Sequence, residues 1–362
     1  MSYCRKLIWA LALVILASCT TPPPRQTPPD VDLSPDQPVV AKPEVVVIKP
    51  PKAIAPAPAP TPAPLVIPPQ DHIGPNEVWV PLERWCQACG YGAPRRIGND
   101  PGPAYAFTLT NGTMTVRIGV ELATWRGMDY HLGFAPELVN GHPYIHALDI
   151  RKNFLPLLEN SIPLETNRVI VIDPGHGGTD TGTSNVANGH FEKEFTLDLA
   201  RRLQALLAAD GWTVLLTRTS DVYVSLPNRV AFAEQHKAGL FISLHFNSSF
   251  PDRQEAGLET YCLTPHGMRS TLTRGFADNP SLTFPNNNFD AENLEFAASV
   301  HREILKINGH LDRGLRRARF LGVLQGQNRP AFLVEGGYIS NPTEARKIAD
   351  PAYRQKLAEA IA

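Results

Sequence analysis

The hydrophobic positions of this chain change pattern along its length, and the last part is the most regular. From Arg168 onward, short apolar runs alternate with stretches of helical period, which predicts a mostly parallel sheet covered by helices. Val169–Ile172, Leu240–Leu244 and Ala331–Val334 are unbroken apolar runs, as buried strands are. Trp212–Leu216 and Gly257–Leu263 predict two further strands. Between them, Phe195, Leu199, Leu203 and Leu206 share one face of a helix over Glu192–Ala208. Leu226–Glu234 reads as a short helix. Leu294, Ala298, His301 and Leu305 are in phase on another, over Ala291–Ile307.

Residues 75–165 follow a different rule. Trp79–Leu82, Ala106–Leu109, Met114–Ile118 and Tyr144–Ala147 read as short strands, and Asn111-Gly112 and Asn140-Gly141 are hairpin-turn signals. A small β-rich module is expected, with a binding or positioning role. Its pattern of Val80-Pro-Leu82, the two Asn-Gly turns and Tyr144-Ile145 resembles the N-terminal domain of copper amine oxidases, which implies an accessory unit. His131, His142 and His146 show no ligand spacing there and read as surface or core residues.

Before the module, residues 22–69 hold 17 of the 35 prolines, so this stretch forms neither ladder nor helix and is expected as a disordered polyproline tether. Fully extended, it reaches roughly 150 Å. At the start, Arg5 and Lys6 precede the apolar run Leu7–Ala17, which is too short to span a bilayer. Leu16-Ala-Ser-Cys19 resembles a bacterial lipobox, which implies a signal peptide over 1–18 and lipid on the Cys19 thiol. Thr20 stands where inner-membrane retention would want an aspartate, so the expected location is the outer membrane, facing the periplasm, with the membrane a partner through the anchor. The expected organisation is thus signal peptide 1–18, Pro-rich tether 19–74, accessory domain 75–165 and catalytic domain 166–362.

Composition narrows the classes. With 43% hydrophobic residues, 362 residues suffice for folded domains with real cores, and a net charge of -1 offers no basic stripe for nucleic acid. Of the cysteines, Cys4 leaves with the signal. Cys86-Gln-Ala-Cys89 has a spacing used for zinc and for redox work, but no second pair follows and no βαβ unit surrounds it. A local disulfide in an oxidising envelope is expected. Cys262 reads as a buried core thiol.

The chemistry gathers where the strands stop. His176, on the Asp-Pro-Gly-His-Gly-Gly loop, His245 and Glu335 each follow an apolar strand, and Glu192 stands at the start of a helix. A parallel sheet brings such ends to one edge. Two histidines and a carboxylate form a zinc set that leaves a fourth position open, and a second carboxylate can serve as general base on water. This is an arrangement for metal-assisted amide hydrolysis. Periodicity alone leaves His190, Glu192 and Glu194 as rivals for the acidic stretch, with at most one of the two glutamates serving the site. His266, His301 and His310 read as loop or helix-surface residues, with His301 near the edge of its packed face. The helix-borne His-Glu-x-x-His of common zinc proteases is absent.

These residues sit in an ordered series of motifs. It runs through Ile172-Asp-Pro-Gly-His-Gly-Gly178, Phe191-Glu-Lys193, Leu216-Thr-Arg218, Arg229-x-x-x-Ala233, Phe241-Ile-Ser-Leu-His-Phe-Asn247, Gly257-Leu-Glu-Thr-Tyr261, Asp312-Arg-Gly314 and Pro330-Ala-Phe-Leu-Val-Glu-Gly-Gly-Tyr-Ile-Ser-Asn341. Over residues 168–361 the chain resembles the zinc-dependent N-acetylmuramoyl-L-alanine amidases of the Amidase_3 group, which cleave peptidoglycan. The resemblance implies an α/β fold with a mainly parallel, roughly six-stranded sheet flanked by helices. It implies one zinc ion held by His176, Glu192 and His245, with Glu335 as the catalytic glutamate. Peptidoglycan is the implied substrate, cut between N-acetylmuramic acid and L-alanine during wall remodelling or daughter-cell separation, and a protein activator is a further candidate partner.

Two features depart from the usual pattern. His190 lies close to Glu192, and residues 266–290 form a long Asn-rich link, read as a substrate-facing loop rather than an inhibitory helical lid. The rival functions are a non-catalytic peptidoglycan-binding module, which would lack a ligand or the base, and a zinc peptidase acting on another amide.

Overall fold

The structure is a computed structural model, and it describes residues 72–362 apart from 100–101, 110–111, 159–166, 274, 276 and 309–310. The expected signal peptide, Cys19 and the expected tether as far as residue 71 lie outside the described residues, as do Asn111 of the expected Asn111-Gly112 turn and His310. The first strands are β1 (Trp79–Pro81), β2 (Arg95–Gly98), β3 (Ala104–Leu109), β4 (Gly112–Arg117), β5 (Leu122–Trp125), β6 (Met128–His131), β7 (Glu137–Val139) and β8 (His142–His146). They are joined by helix α1 (Leu82–Ala88) and followed by a continuous helical segment, α2 (Ala147–Asp149), a π-helical turn (Ile150–Phe154) and α3 (Leu155–Leu158).

The later strands are β9 (Val169–Pro174), β10 (Thr213–Leu216), β11 (Leu240–Asn247), β12 (Leu258–Cys262), β13 (Asp312–Arg317) and β14 (Ala331–Tyr338). The later helices are α4 (Glu192–Ala209), α5 (Leu226–Gln235), α6 (Asp290–Asn308), α7 (Gly322–Gln325), α8 (Pro342–Ala349) and α9 (Pro351–Ile361).

Six strands in the order β10-β9-β11-β14-β12-β13 form the expected sheet. All its neighbours are parallel except β12 against β14. Strand alternation divides its side chains between two hydrophobic layers. Ile170, Ile172, Leu240, Ile242, Phe332 and Val334 face one layer, which includes Leu199 and Leu203 of α4, Leu294 of α6 and Leu357 of α9. Val171, Phe241 and Leu333 face the other, with Ala233 of α5 and Leu324 of α7. Both faces are covered, which is why the strands read as unbroken apolar runs.

The boundary expected near 165 does not separate two bodies. The sheet continues through β6-β5-β4-β3-β2, so the eleven strands form one surface. β13 pairs parallel with β6 at Leu315 and Tyr130. Gly314 lets the backbones meet there: a Cβ at this position would stand 3.0 Å from the Asp129 carbonyl oxygen. The Asp129 amide donates to Asp312 Oδ2 at 2.8 Å, and Lys152 pairs with Asp290 at 2.9 Å. Trp85, Phe107 and Phe154 belong to the same hydrophobic cluster as Ile170 and Leu203. The expected β-rich module is therefore an extension of the catalytic sheet. Its Asn140-Gly141 turn links β7 to β8 with both residues at positive φ, as a two-residue hairpin requires.

The expected disulfide is also corrected, since Cys86 and Cys89 are both thiols. Cys86 lies in α1 and Cys89 caps its C-terminus in helical geometry. Helical neighbours three apart hold their Cβ atoms about 5–6 Å apart, beyond the roughly 3.5–4.5 Å that a disulfide spans. Burial pushes the Cys86 thiol up to about 12, so it is no nucleophile. Cys262 is buried in β12, as expected.

Candidate metal and hydrolytic site

The site is built on the sheet edge where β9, β11 and β14 end. Near the end of β9, the buried Asp173 accepts hydrogen bonds from Thr217 Oγ1 (2.5 Å), Ser243 Oγ (2.9 Å) and Arg229 Nη1 (2.6 Å). The next turns are pinned by their carbonyls: Gly175 accepts from Thr196 Oγ1 (2.9 Å) and Arg218 Nη2 (2.8 Å), and His176 accepts from Arg229 Nη2 (2.7 Å). His176 sits at φ 61°, a left-handed conformation this web over-determines. Gly175 is required beside it, because a Cβ there would lie 2.2 Å from the His245 ring.

The His176 ring has two carboxylate partners. Its Nδ1 meets Asp180 Oδ1 at 2.8 Å, and its Nε2 meets Glu192 Oε1 at 3.1 Å. Glu192 opens α4 and is buried. Its Oε1 also lies 3.0 Å from His245 Nδ1 and accepts from the Phe246 amide at 3.1 Å. One ligand atom each from His176, Glu192 and His245 lie within 4.8 Å of one another. Burial opposes ionisation of Glu192, but the two histidines outweigh it and hold its carboxyl far below the usual range. Burial likewise opposes charging of His176, yet Glu192 and Asp180 push it up to about 9. Two imidazoles converging on a buried carboxylate are a donor set that fits a zinc ion.

Glu335 completes the cavity. β11 and β14 run in register with His245 opposite Glu335, so both side chains leave the same face of the sheet, the one covered by α5 and α7. Glu335 is 7% exposed and lines, with His176, Glu192 and His245, a cavity of about 360 Å³. The neighbouring acid in the row, Glu259, is occupied elsewhere. Arg313 and Arg316 pair with it, Asn247 and Tyr261 donate to it, and together they hold it ionised against its burial.

The rivals fall away by position. His190 Nδ1 meets Glu194 Oε2 at 2.7 Å on the exposed side of α4, apart from the metal group. His301, expected near a helix surface, is fully buried: its Nδ1 lies 2.8 Å from Thr260 Oγ1 and its Nε2 3.0 Å from Asp312 Oδ1. Two polar groups on β12 and β13 face α6, so a histidine satisfies them where a leucine could not. Residues 266–290 contain no α-helix among the described residues before Asp290. The Asn-rich run is bracing: Asn286 donates to the Arg329 carbonyl (2.8 Å) and Asn287 to that of Thr264 (3.0 Å). Sequence reasoning passed over Asp180, and it quoted Arg229 and Asp173 within motifs without giving either a role. The signal for Asp180 was available, as an acid four residues beyond a candidate ligand histidine.

The family model of N-acetylmuramoyl-L-alanine amidase (Amidase_3) matches residues 170–362. The chain belongs to this amidase family. It is 32% identical over 241 residues to N-acetylmuramoyl-L-alanine amidase AmiC of Escherichia coli O6:H1, covering 59% of this chain and 56% of that protein. It is 31% identical over 278 residues to AmiA of Salmonella typhimurium, covering 70% of this chain and 90% of that one. Among solved structures, the catalytic domain of CwlV, an amidase of Bacillus (Paenibacillus) polymyxa var. colistinus, is 30% identical with a TM-score of 0.44, covering 53% of this chain and 93% of that one. The chain thus spans little more than half of the first of these relatives, and all of the amidase motif residues lie within the family match.

Proposed function

We propose that this amidase is zinc-dependent and hydrolyses the amide between the lactyl group of N-acetylmuramic acid and the L-alanine of the peptidoglycan stem. The observation that carries the reading is the convergence of His176, Glu192 and His245 in one cavity with Glu335. His176, Glu192 and His245 would hold the ion. When bound, zinc supplies Lewis-acid polarisation of the scissile carbonyl and lowers the pKa of water. Glu335 takes the proton of the attacking water and returns it to the departing alanine amine, so that carboxylate and carboxylic acid alternate within one turnover. Glu192, shared between two histidines, keeps both rings turned toward the cavity.

The test is digestion of purified sacculi by the full chain, with products read by mass spectrometry. Peptides with a free L-alanine amino end, lost on chelation and in Glu335→Gln, are expected. Cleavage at another amide would instead favour the peptidase reading, and sacculus binding without any product the binding-module reading. Activity of the chain alone also decides whether a protein activator is required. The cellular setting is part of the same proposal: lipid on Cys19 and an outer-membrane location facing the periplasm, supported by the Leu16-Ala-Ser-Cys19 sequence. Cys19→Ala should shift the protein from the membrane to the soluble fraction; an unchanged distribution would remove the anchor from the reading.

A further inference from the structure

The catalytic cavity continues into a larger groove of about 930 Å³ on the same side of the sheet, and Leu226 and Gly322 line both. One wall is the exposed face of α5, with Leu226, Val230 and Ala231, and the other is Phe284 and Pro285 from the long link before α6. Among the described residues, the single ionisable side chain lining the groove is Glu234, and it is already paired with the buried Arg329. No cationic side chain of the described residues lines this groove. Ser248, which lines the cavity but not the groove, leads into a loop carrying an exposed Arg253 guanidinium, 5.9 Å from the centre of the Phe250 ring.

The two parts of the proposed substrate differ in the same way. A stem peptide carries free carboxylates, for which an apolar groove rimmed by an acid is a poor host. A β-1,4-linked N-acetylhexosamine strand whose lactyl carboxyls are still amidated is uncharged along its backbone and presents flat C–H faces to apolar walls. We infer that the groove between α5 and the 284–285 segment binds the glycan strand, and that the stem peptide leaves the site on the Ser248–Arg253 side. The inference rests on the peptidoglycan reading above and adds to it a direction for the substrate across the sheet edge. It makes Ala231, Val230 and Phe284 specificity-determining contacts for polymeric substrate.

Ala231→Trp and Ala231→Glu in the full chain test it, since Ala231 is exposed and its replacement alters the groove rather than the core. Two substrates are compared: peptide-bearing glycan strands, and N-acetylmuramoyl-tripeptide with a single sugar. The expected result is a loss of about tenfold or more in kcat/KM on the strands, carried by KM, with the single-sugar substrate within about twofold of the parent. In parallel, a β-1,4-linked N-acetylglucosamine tetrasaccharide titrated into Glu335→Gln should bind, and bind at least tenfold more weakly once Ala231→Trp is added. Equal losses on both substrates would put the peptide in the groove, and no loss on the strands with unchanged tetrasaccharide binding would leave it unused; either overturns the inference. Failure of the peptidoglycan reading looks different, since the parent protein would then release no L-alanine-ended peptide from either substrate.

Discussion

Each ring nitrogen of His176 has its own carboxylate, and the two carboxylates do different work. Glu192 shares the space where an ion would sit, whereas Asp180 holds Nδ1 and so fixes which nitrogen faces the cavity. Asp180→Ala should therefore weaken zinc binding by about 10–100-fold in a chelator competition, with the melting temperature little changed. An unaltered affinity would reduce Asp180 to a loop residue. Glu335→Gln should behave in the opposite way: full zinc occupancy by metal analysis and a loss of about 10²–10⁴ in kcat. A Gln variant that kept its rate would transfer the proton step to another group. The choice of Glu192 over Glu194 is likewise a residue-scale matter. Both stand in the first turn of α4, and only the three-dimensional position of β11 decides which one His245 meets.

At the scale of elements, the least legible strand was β13. Asp312-Arg-Gly-Leu-Arg-Arg317 has one buried aliphatic residue, Leu315, because its arginines neutralise Glu259 and donate to the Lys152 carbonyl instead of reaching solvent. Hydrophobic periodicity has no symbol for a strand stabilised by buried ion pairs. α5 shows a related device, since Arg229 ties the helix to Asp173 and to the His176 carbonyl. Arg229→Met would strand a buried carboxylate and should cost about 3–5 kcal/mol in denaturant unfolding; a loss under 1 kcal/mol would show that Thr217 and Ser243 suffice. On β6, His131 faces the Arg313 carbonyl with Arg316, Glu259 and Asp312 nearby. Burial, then Arg316, pulls it down to about 4 from 6.5. Between those values the unfolded chain binds the proton that the folded one refuses, so its contribution to stability is complete above pH 6.5 and is lost as pH falls toward 4. His131→Gln should flatten that part of the stability profile, and an unchanged slope would assign it to other groups.

For the whole molecule, the decisive feature is that one sheet and one core run through both sequence regimes. Cutting at residue 165 would unpair the β13 edge and uncover the side of α6 that packs against the helical segment 150–158. The fragment 166–362 is therefore expected to melt well below the full chain or to aggregate, as read by calorimetry and size-exclusion chromatography. A fragment as stable as the full chain would restore the picture of two independent domains.

By itself the sequence determined the elements whose signals are local: five of the six strands of the αβ pattern from Arg168 onward, the turn that presents His176, the strand ends carrying His245 and Glu335, and the motif series that marks the family. Each is written in spacing of a few residues, where periodicity and turn chemistry act. Tertiary structure decided what depends on distance across the chain. It joined the β-rich segment to the catalytic sheet through β6 and β13, buried His301 between Thr260 and Asp312, and set Arg229 behind the His176 loop. Those contacts link residues whose partners are fixed by packing and electrostatic neutralisation, and no local pattern encodes which partner arrives.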